Sequence, residues 1–200
     1  MSYETLTAII LHITPILANF AAIMKVCVFC SANSSIDRSY FDKAAELGQW
    51  IGRNGHQLVY GGANLGLMEC VARAAREAGA TVIGVVPTIL EKSGRASDCI
   101  DVCMPCDNLD DRKQLMISQA DAIVALPGGV GTLDEIFTVL AAAAIGYHHK
   151  RVVLYNIGGF WDSLLALMAD MRGRGMLREG FDSTLAVASD IDEVAALCSL

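Results

Sequence analysis

The sequence predicts an α/β protein: a Rossmann-like, three-layer fold with a mainly parallel sheet flanked by helices. Short apolar, β-rich runs alternate with longer runs of helical spacing from Lys25 to Cys198, the order that builds βαβ units. Three small or glycine-rich turns, Ser31–Ser35, Gly61–Gly66 and Gly128–Thr132, each follow a strand-like run. That places them together at the carboxyl edge of a parallel sheet, where such folds bind ligands. The composition agrees, because 200 residues that are 54% hydrophobic suffice for one domain with a full core.

The elements follow in order. Lys25–Cys30 is a strand that ends in the polar loop Ser31–Ser35. Tyr40, Phe41, Ala44, Leu47, Trp50 and Ile51 give Asp37–Arg53 helical spacing, and Gly55 stops it. His56–Tyr60 is the second strand; Gly61–Gly66 then opens a helix through Ala78, ended by Gly79. Thr81–Val86 is the third strand, stopped by Pro87, and Thr88–Asp98 reads as polar and irregular. Cys99–Met104 is a fourth, short strand, and Asp110–Gln119 a helix. Ala122–Leu126 is the fifth strand, followed by a helix to about Ala144, and Arg151–Tyr155 is the sixth. Phe160, Trp161, Leu164, Leu165 and Met168 predict a helix with a core-facing stripe. Thr184–Ala188 is a last strand before a helix from Ile191. Residues 25–200 are expected to form a single domain.

Residues 1–24 stand apart. Leu6–Met24 is apolar and nearly long enough to span a bilayer. It contains His12, Thr14, Pro15 and Asn19, with no basic residue before it, which does not fit a signal peptide. An extension or accessory helix is expected rather than a membrane anchor, and Met24 is a candidate original start.

A net charge of -7 argues against a nucleic-acid surface. A single phosphate is another matter, since backbone amides can hold it. Seven cysteines without a framework spacing point to reduced thiols and a cytoplasmic protein. Cys27 and Cys30, three apart in a strand, point to opposite faces; Cys103 and Cys106, with Pro105 between them, read as loop-like. A four-thiolate zinc site requires these segments to meet, and buried, inert thiols with no metal are the preferred reading.

The chemistry centres on Leu126–Glu135. Gly128, Gly129 and Gly131 let the backbone turn tightly and approach a ligand without a Cβ, and the helix start beyond them suits a phosphate. Against this, Thr132-Leu133-Asp134-Glu135 also fits a capping box in which Glu135 merely ties off the helix. No lysine follows Gly131 as in a P-loop, Gly61–Gly66 lacks the dinucleotide spacing, and no serine nucleophile elbow occurs. The four histidines are scattered and read as structural or solvated. What remains is Glu135 beyond the loop, with Arg112 and Lys113 on the preceding helix. A carboxylate there can activate water, and a guanidinium can hold phosphate or ribose oxygens. The plainer alternative for Arg112 and Lys113 is a solvated helix face paired with Asp110 and Asp111.

Pro127-Gly128-Gly129-Val130-Gly131-Thr132-Leu133-Asp134-Glu135, preceded by Arg112-Lys113-Gln114-Leu115-Met116, resembles the LOG ("lonely guy") family. Val28-Phe29-Cys30-Ser31, Val59-Tyr60-Gly61-Gly62, Gly66-Leu67-Met68, Gly84-Val85-Val86-Pro87 and Gly146–Lys150 agree, so the resemblance covers residues 25–198. It implies hydrolysis of the N-glycosidic bond of a nucleoside 5'-monophosphate, with cytokinin riboside 5'-monophosphate or AMP as substrate. It implies Glu135 and Arg112 as catalytic residues. Lys113 and Gly129, Val130, Gly131 and Thr132 would contact the nucleotide, with Gly128, Gly61 and Gly62 as further substrate-binding positions. It also implies a homodimer or larger assembly that needs no metal or redox cofactor.

Departures from the family pattern fall at Leu109-Asp110-Asp111, at Ala142-Ala143-Ala144 and at Ser31-Ala32-Asn33. They leave the phosphate loop and the Arg112–Glu135 pair intact, but a pocket for isoprenoid adenine does not follow. A non-catalytic nucleotide sensor or carrier on the same scaffold is the alternative. Amino-acid decarboxylation, the family's older label, has no lysine context to support it.

Overall fold

A computed structural model of the chain describes residues 22–178 and 180–199; most of the N-terminal extension, His12 included, lies outside the described residues. The elements are β1 (Lys25–Phe29), α1 (Arg38–Arg53), β2 (Gln57–Tyr60), α2 (Gly66–Glu77), β3 (Val82–Pro87), α3 (Thr88–Lys92) and β4 (Val102–Cys106). Then come α4 (Leu109–Gln119), β5 (Ala122–Ala125), α5 (Val130–Ala144), β6 (Val152–Tyr155), α6 (Asp162–Gly173), β7 (Leu185–Ala188) and α7 (Ile191–Cys198). All seven strands join one parallel sheet in the order β4-β3-β2-β1-β5-β6-β7.

The order reverses between β1 and β5, which pair Val28 with Val124 and Phe29 with Ala125. Crossovers diverge at such a point and leave a crevice at the carboxyl ends of the two strands. The central strands are buried on both faces, which is why they read as continuous apolar runs. Val26, Val28 and Cys30 pack with Leu47 and Ile51 of α1 and Val71 of α2. Cys27 and Phe29 pack on the other face with Met116 of α4, Ile136 and Val139 of α5 and Met168 of α6.

Three expectations are corrected. The fourth strand starts at Val102, not Cys99, because the chain before it is tied elsewhere. Ser97 N–H donates to the Gly62 carbonyl at 2.9 Å, and the Asp101 carboxylate accepts from Val82 N–H at 2.9 Å. The Cys103–Cys106 stretch is therefore strand rather than loop, and Pro105 is tolerated there because β4 is an edge strand. Thr88–Lys92 forms a short helix within the stretch read as irregular, too brief to show a period. Third, Cys103 is exposed, whereas Cys27, Cys30, Cys99 and Cys106 are buried. Among the described residues no group of three or more metal-ligating side chains gathers, and no helix is long and apolar enough to cross a membrane.

The stripe predicted for the sixth helix is also split. Phe160 lies in the turn before α6 and is half-exposed, while Trp161 and Met168 are buried. The Trp161 indole N–H donates to the Ala125 carbonyl at 3.3 Å and so fastens this turn to the end of β5.

Candidate active site

The three turns meet at the β1/β5 crevice. Ser31 N–H donates to the Pro127 carbonyl at 3.1 Å, and Leu67 N–H donates to the Ser31 carbonyl at 2.9 Å. The first loop thus bridges the other two. Within it, Ser31 Oγ accepts from Asn33 N–H and Ser34 Oγ accepts from Gly66 N–H, at 3.0 and 3.2 Å.

The capping-box alternative for Thr132–Glu135 is overturned. Gly129 is the N-cap of α5, with extended backbone and no side-chain cap bond. Thr132 is therefore the third helical residue and Glu135 the sixth, one full turn too late to reach the cap. The first-turn N–H groups of Val130, Gly131 and Thr132 have no intrahelical partner and mark the positive end of the helix dipole. The loop glycines serve space rather than torsion, since Gly128, Gly129 and Gly131 all have negative φ. A Cβ on Gly128 would stand 2.0 Å from Thr132 Oγ1, whereas Cβ atoms on Gly129 or Gly131 would meet nothing within 4 Å. That open side is where a ligand can approach the bare backbone.

Asn108, a residue the sequence reading passed over, caps α4 by accepting from the N–H groups of Asp110 and Asp111, both at 2.9 Å. The cap fixes the first turn that carries Arg112. The Arg112 side chain is only 11% exposed and sits 3.6 Å from the Glu135 carboxylate, so the solvated-face alternative fails for it. Its Nε and Nη2 have no hydrogen-bond partner among the described residues. A buried donor left unpaired costs about 1–3 kcal/mol, and a guanidinium with two free donors can bind carboxylate or phosphate oxygens. Gly61 makes room for it: a Cβ there would lie 1.6 Å from Arg112 Nη2. Gly62 is adjacent, in the left-handed region at φ 74°.

Glu135 is 6% exposed. Burial first, and the Asp134 carboxylate after it, push its pKa up to about 7, against the opposing pull of Arg112 and Lys113. A carboxyl poised there exchanges a proton at neutral pH. Cys27 and Cys30 lie within its field, and burial holds both thiols well above their usual range. They are neutral neighbours.

Lys113 pairs with carboxylates of both α4 and α5. Its ammonium bonds both oxygens of Asp134, at 2.8 and 3.0 Å, and also pairs with Asp110 at 3.1 Å. The Asp110 pairing matches the plainer alternative in part, but Asp111 instead accepts from Asn108 Nδ2 at 2.7 Å. Asp134 carried no signal beyond its place beside Glu135.

Beside Gly128 and Gly129 a cavity of 230 Å³ opens, lined also by Ser31, Asn33, Ile36, Tyr40 and Phe160. Tyr40 and Phe160 meet edge to face with ring centroids 5.7 Å apart. Sequence spacing assigned both to helix stripes, and nothing in the sequence marked them as a wall of the crevice. A cavity of 390 Å³ at the amino ends of β5 and β6 is lined by Asp121, His148, Lys150 and Arg151, whose guanidinium donates to the Ser183 carbonyl at 3.1 Å rather than to a carboxylate.

Fold and site together define a Rossmann-like protein that presents bare helix-start amides beside a buried arginine–glutamate pair. The chain belongs to the LOG family: residues 68–198 match the family model described as "Possible lysine decarboxylase". It is 44% identical over 144 residues, 72% of its length, to the "Probable cytokinin riboside 5'-monophosphate phosphoribohydrolase LOGL9" of Oryza sativa subsp. japonica, of which it spans 63%. It is 36% identical over 81% of its length to the cytokinin riboside 5'-monophosphate phosphoribohydrolase LOG4 of Arabidopsis thaliana, of which it spans 73%. Among solved structures, the molybdenum cofactor binding protein of Rippkaea orientalis shares the fold, with a TM-score of 0.68 at 23% identity over 88% of this chain and 95% of that one. The Moco carrier protein of Chlamydomonas reinhardtii superposes with a TM-score of 0.65 at 26% identity, over the same 88% of this chain and 95% of its own.

Proposed function

We propose that the protein hydrolyses the N-glycosidic bond of a nucleoside 5'-monophosphate, cytokinin riboside 5'-monophosphate or AMP, releasing the free base and ribose 5-phosphate. The observation that carries this reading is Glu135, buried, with its pKa raised to about 7, and 3.6 Å from the Arg112 guanidinium, whose Nε and Nη2 have no hydrogen-bond partner among the described residues. The bond from the anomeric carbon to the base nitrogen breaks first, the base leaving with the electron pair, and the negative charge of the Glu135 carboxylate stabilises the oxocarbenium-like centre. Glu135 then takes a proton from water as the water oxygen bonds to that carbon, and the proton passes to the departed base nitrogen, which leaves as the neutral base with the carboxylate restored. Arg112 holds ribose or phosphate oxygens through Nε and Nη2. The amides from Gly129 to Thr132 take the phosphate, with Gly128, Gly61 and Gly62 keeping side chains out of the way. The names of the relatives support the same reaction class.

The reading extends to setting and assembly. All seven cysteines are free, in keeping with the reducing cytoplasm. Leu109 and Val130 at the crevice lips and Phe137 on α5 are apolar and exposed, which suits a homodimer with its pockets near the subunit interface. The reaction needs no metal or redox cofactor. Incubation with AMP, isopentenyladenosine monophosphate and the other common monophosphates, with chromatography of released base, tests the proposal. Base release is the expected result. Tight nucleotide binding with no release from any of them would favour the carrier alternative.

A further inference from the structure

Beyond the loop glycines, the proposed hydrolysis makes no use of the 230 Å³ cavity beside Gly128 and Gly129. The cavity lies across the loop from the reacting pair. Arg112 rests against Gly61 at the end of β2, and β2 and β6 flank the β1–β5 pair on opposite sides. Phe160, in the turn after β6, lines the cavity instead. The faces of the sheet differ as well. Tyr40 of α1 packs on the side of Val26 and Val28, whereas Met116 of α4 and Ile136 of α5 pack on the side of Cys27 and Phe29. A phosphate on the first-turn amides of α5 therefore has the arginine–glutamate pair to one side and this cavity to the other.

The aromatic wall of the cavity is fixed in advance. Phe160 N–H donates to the Ile157 carbonyl at 3.2 Å, and Trp161 N–H donates to Asn156 Oδ1 at 2.7 Å. The Phe160 ring meets Tyr40 and Trp161 edge to face, with centroids 5.7 and 4.8 Å away, yet the residue is still 37% exposed. A large apolar ring held in place with part of its surface uncovered can receive a ligand without the cost of ordering it. Ile36 adds a further apolar side chain, and Ser31 and Asn33 supply polar ones. Asn33 belongs to one of the stretches that depart from the family pattern. An apolar cavity of about 150 Å³ takes a benzene ring, so 230 Å³ has room for one aromatic ring.

We propose that this cavity is a subsite for an aromatic group esterified to the 5'-phosphate, so that the chain takes aryl phosphodiesters of a nucleoside as well as the monophosphate. The inference rests on reading the α5 amides as the phosphate site. The diester keeps one negative charge for those amides, while its ring lies against Phe160 and Tyr40. The bond changes at the anomeric carbon are the same as for the monophosphate, and the sugar product keeps its aryl phosphate ester intact.

The probes are AMP and its phenyl diester, adenosine 5'-phenyl phosphate. Isothermal titration uses the full chain as Glu135→Gln, to suppress turnover, and as Glu135→Gln with Phe160→Ala. Thermal melting establishes that both are folded. The ratio of ester affinity to AMP affinity should fall about tenfold on adding Phe160→Ala, the scale of one aromatic contact. Nuclear Overhauser contacts from the phenyl protons to the rings of Phe160 and Tyr40 are the second readout, expected in Glu135→Gln. Equal weakening of ester and AMP by Phe160→Ala would make the ring a support for the loop and end the proposal. So would the absence of those contacts, or an ester that fails to bind where AMP binds. If AMP itself does not bind, the phosphate reading and the subsite fall together. Binding of both ligands with no base released by the wild type defeats the hydrolase reading alone, because the affinity ratio and the ring contacts still decide the subsite.

Discussion

Gly61 lies directly against Arg112: a Cβ on residue 61 would stand 1.6 Å from a guanidinium nitrogen. The end of β2 therefore controls where the cation on α4 can rest. For Gly61→Ala, the methyl meets the far end of a flexible side chain rather than backbone, so the arginine moves while the fold tolerates the change. We expect kcat/KM for a nucleoside monophosphate to fall about a hundredfold, with a stability loss of about 1–3 kcal/mol. Kinetics and denaturant titration on the same preparation check both numbers; unaltered kinetics would mean Arg112 does not need its observed position.

The glycines of the loop before α5 should separate into two kinds. Gly128→Ala presses its methyl to 2.0 Å from Thr132 Oγ1 and should lower stability by about 1–3 kcal/mol through overpacking. Gly129→Ala meets open space, so its melting temperature should match wild type while affinity for a phosphate-bearing ligand drops. Melting curves and isothermal titration with AMP distinguish them. Equal destabilisation of both would contradict the spatial reading of this loop.

The general-base role proposed for Glu135 predicts a signature in rate. The log of kcat/KM should rise with unit slope up to about pH 7 and then level off, as the Glu135 carboxylate becomes populated. Arg112 lowers the Glu135 pKa. Whatever residual activity Arg112→Gln retains should therefore show its midpoint displaced to higher pH. A profile flat from pH 5 to 9 in the wild type would remove Glu135 from the role of general base.

The same group should appear in stability. The Glu135 pKa is raised from 4.5 to about 7 in the folded protein. The stabilisation linked to its bound proton is fully present below about pH 4.5 and lost as pH rises through about 7. Glu135→Gln abolishes that linkage. Its stability relative to wild type should climb by up to about 3 kcal/mol between pH 4.5 and pH 8. Denaturant midpoints across that interval measure it, and a constant difference would show that the carboxyl is not perturbed.

Much of the architecture was legible because it depends on local signals. Apolar runs bounded by Gly and Pro marked the buried strands, and the spacing of Leu47 and Ile51 or of Ile136 and Val139 marked helix faces that pack against the sheet. The errors came where a distant partner decided the outcome. β4 starts at Val102 because Val82 claims Asp101, a contact nineteen residues away with no trace in local pattern. Helix α5 is capped at Gly129 rather than at Thr132, and begins at Val130 with no side-chain cap bond, so its first backbone N–H groups stay free.

The candidate site shows the same division. Its loop and its Arg–Glu pair stand out as motifs, since clustered glycines and charged residues at fixed spacing can be read directly from the sequence. Their supports do not stand out. Asn108 is an ordinary cap, and Asp134 becomes visible only when α4 and α5 are seen to share two ion pairs. Tyr40 and Phe160 are 120 positions apart in sequence by their numbering and meet only at the switch point of the sheet.

The decisive measurement compares wild type with Glu135→Gln on one nucleoside 5'-monophosphate, recording base release and nucleotide affinity together. The wild type should release base; the variant should bind the nucleotide within a few-fold of wild-type affinity and release base at least about a hundredfold more slowly. Equal rates of release from the two proteins would contradict a hydrolytic role for the buried carboxylate.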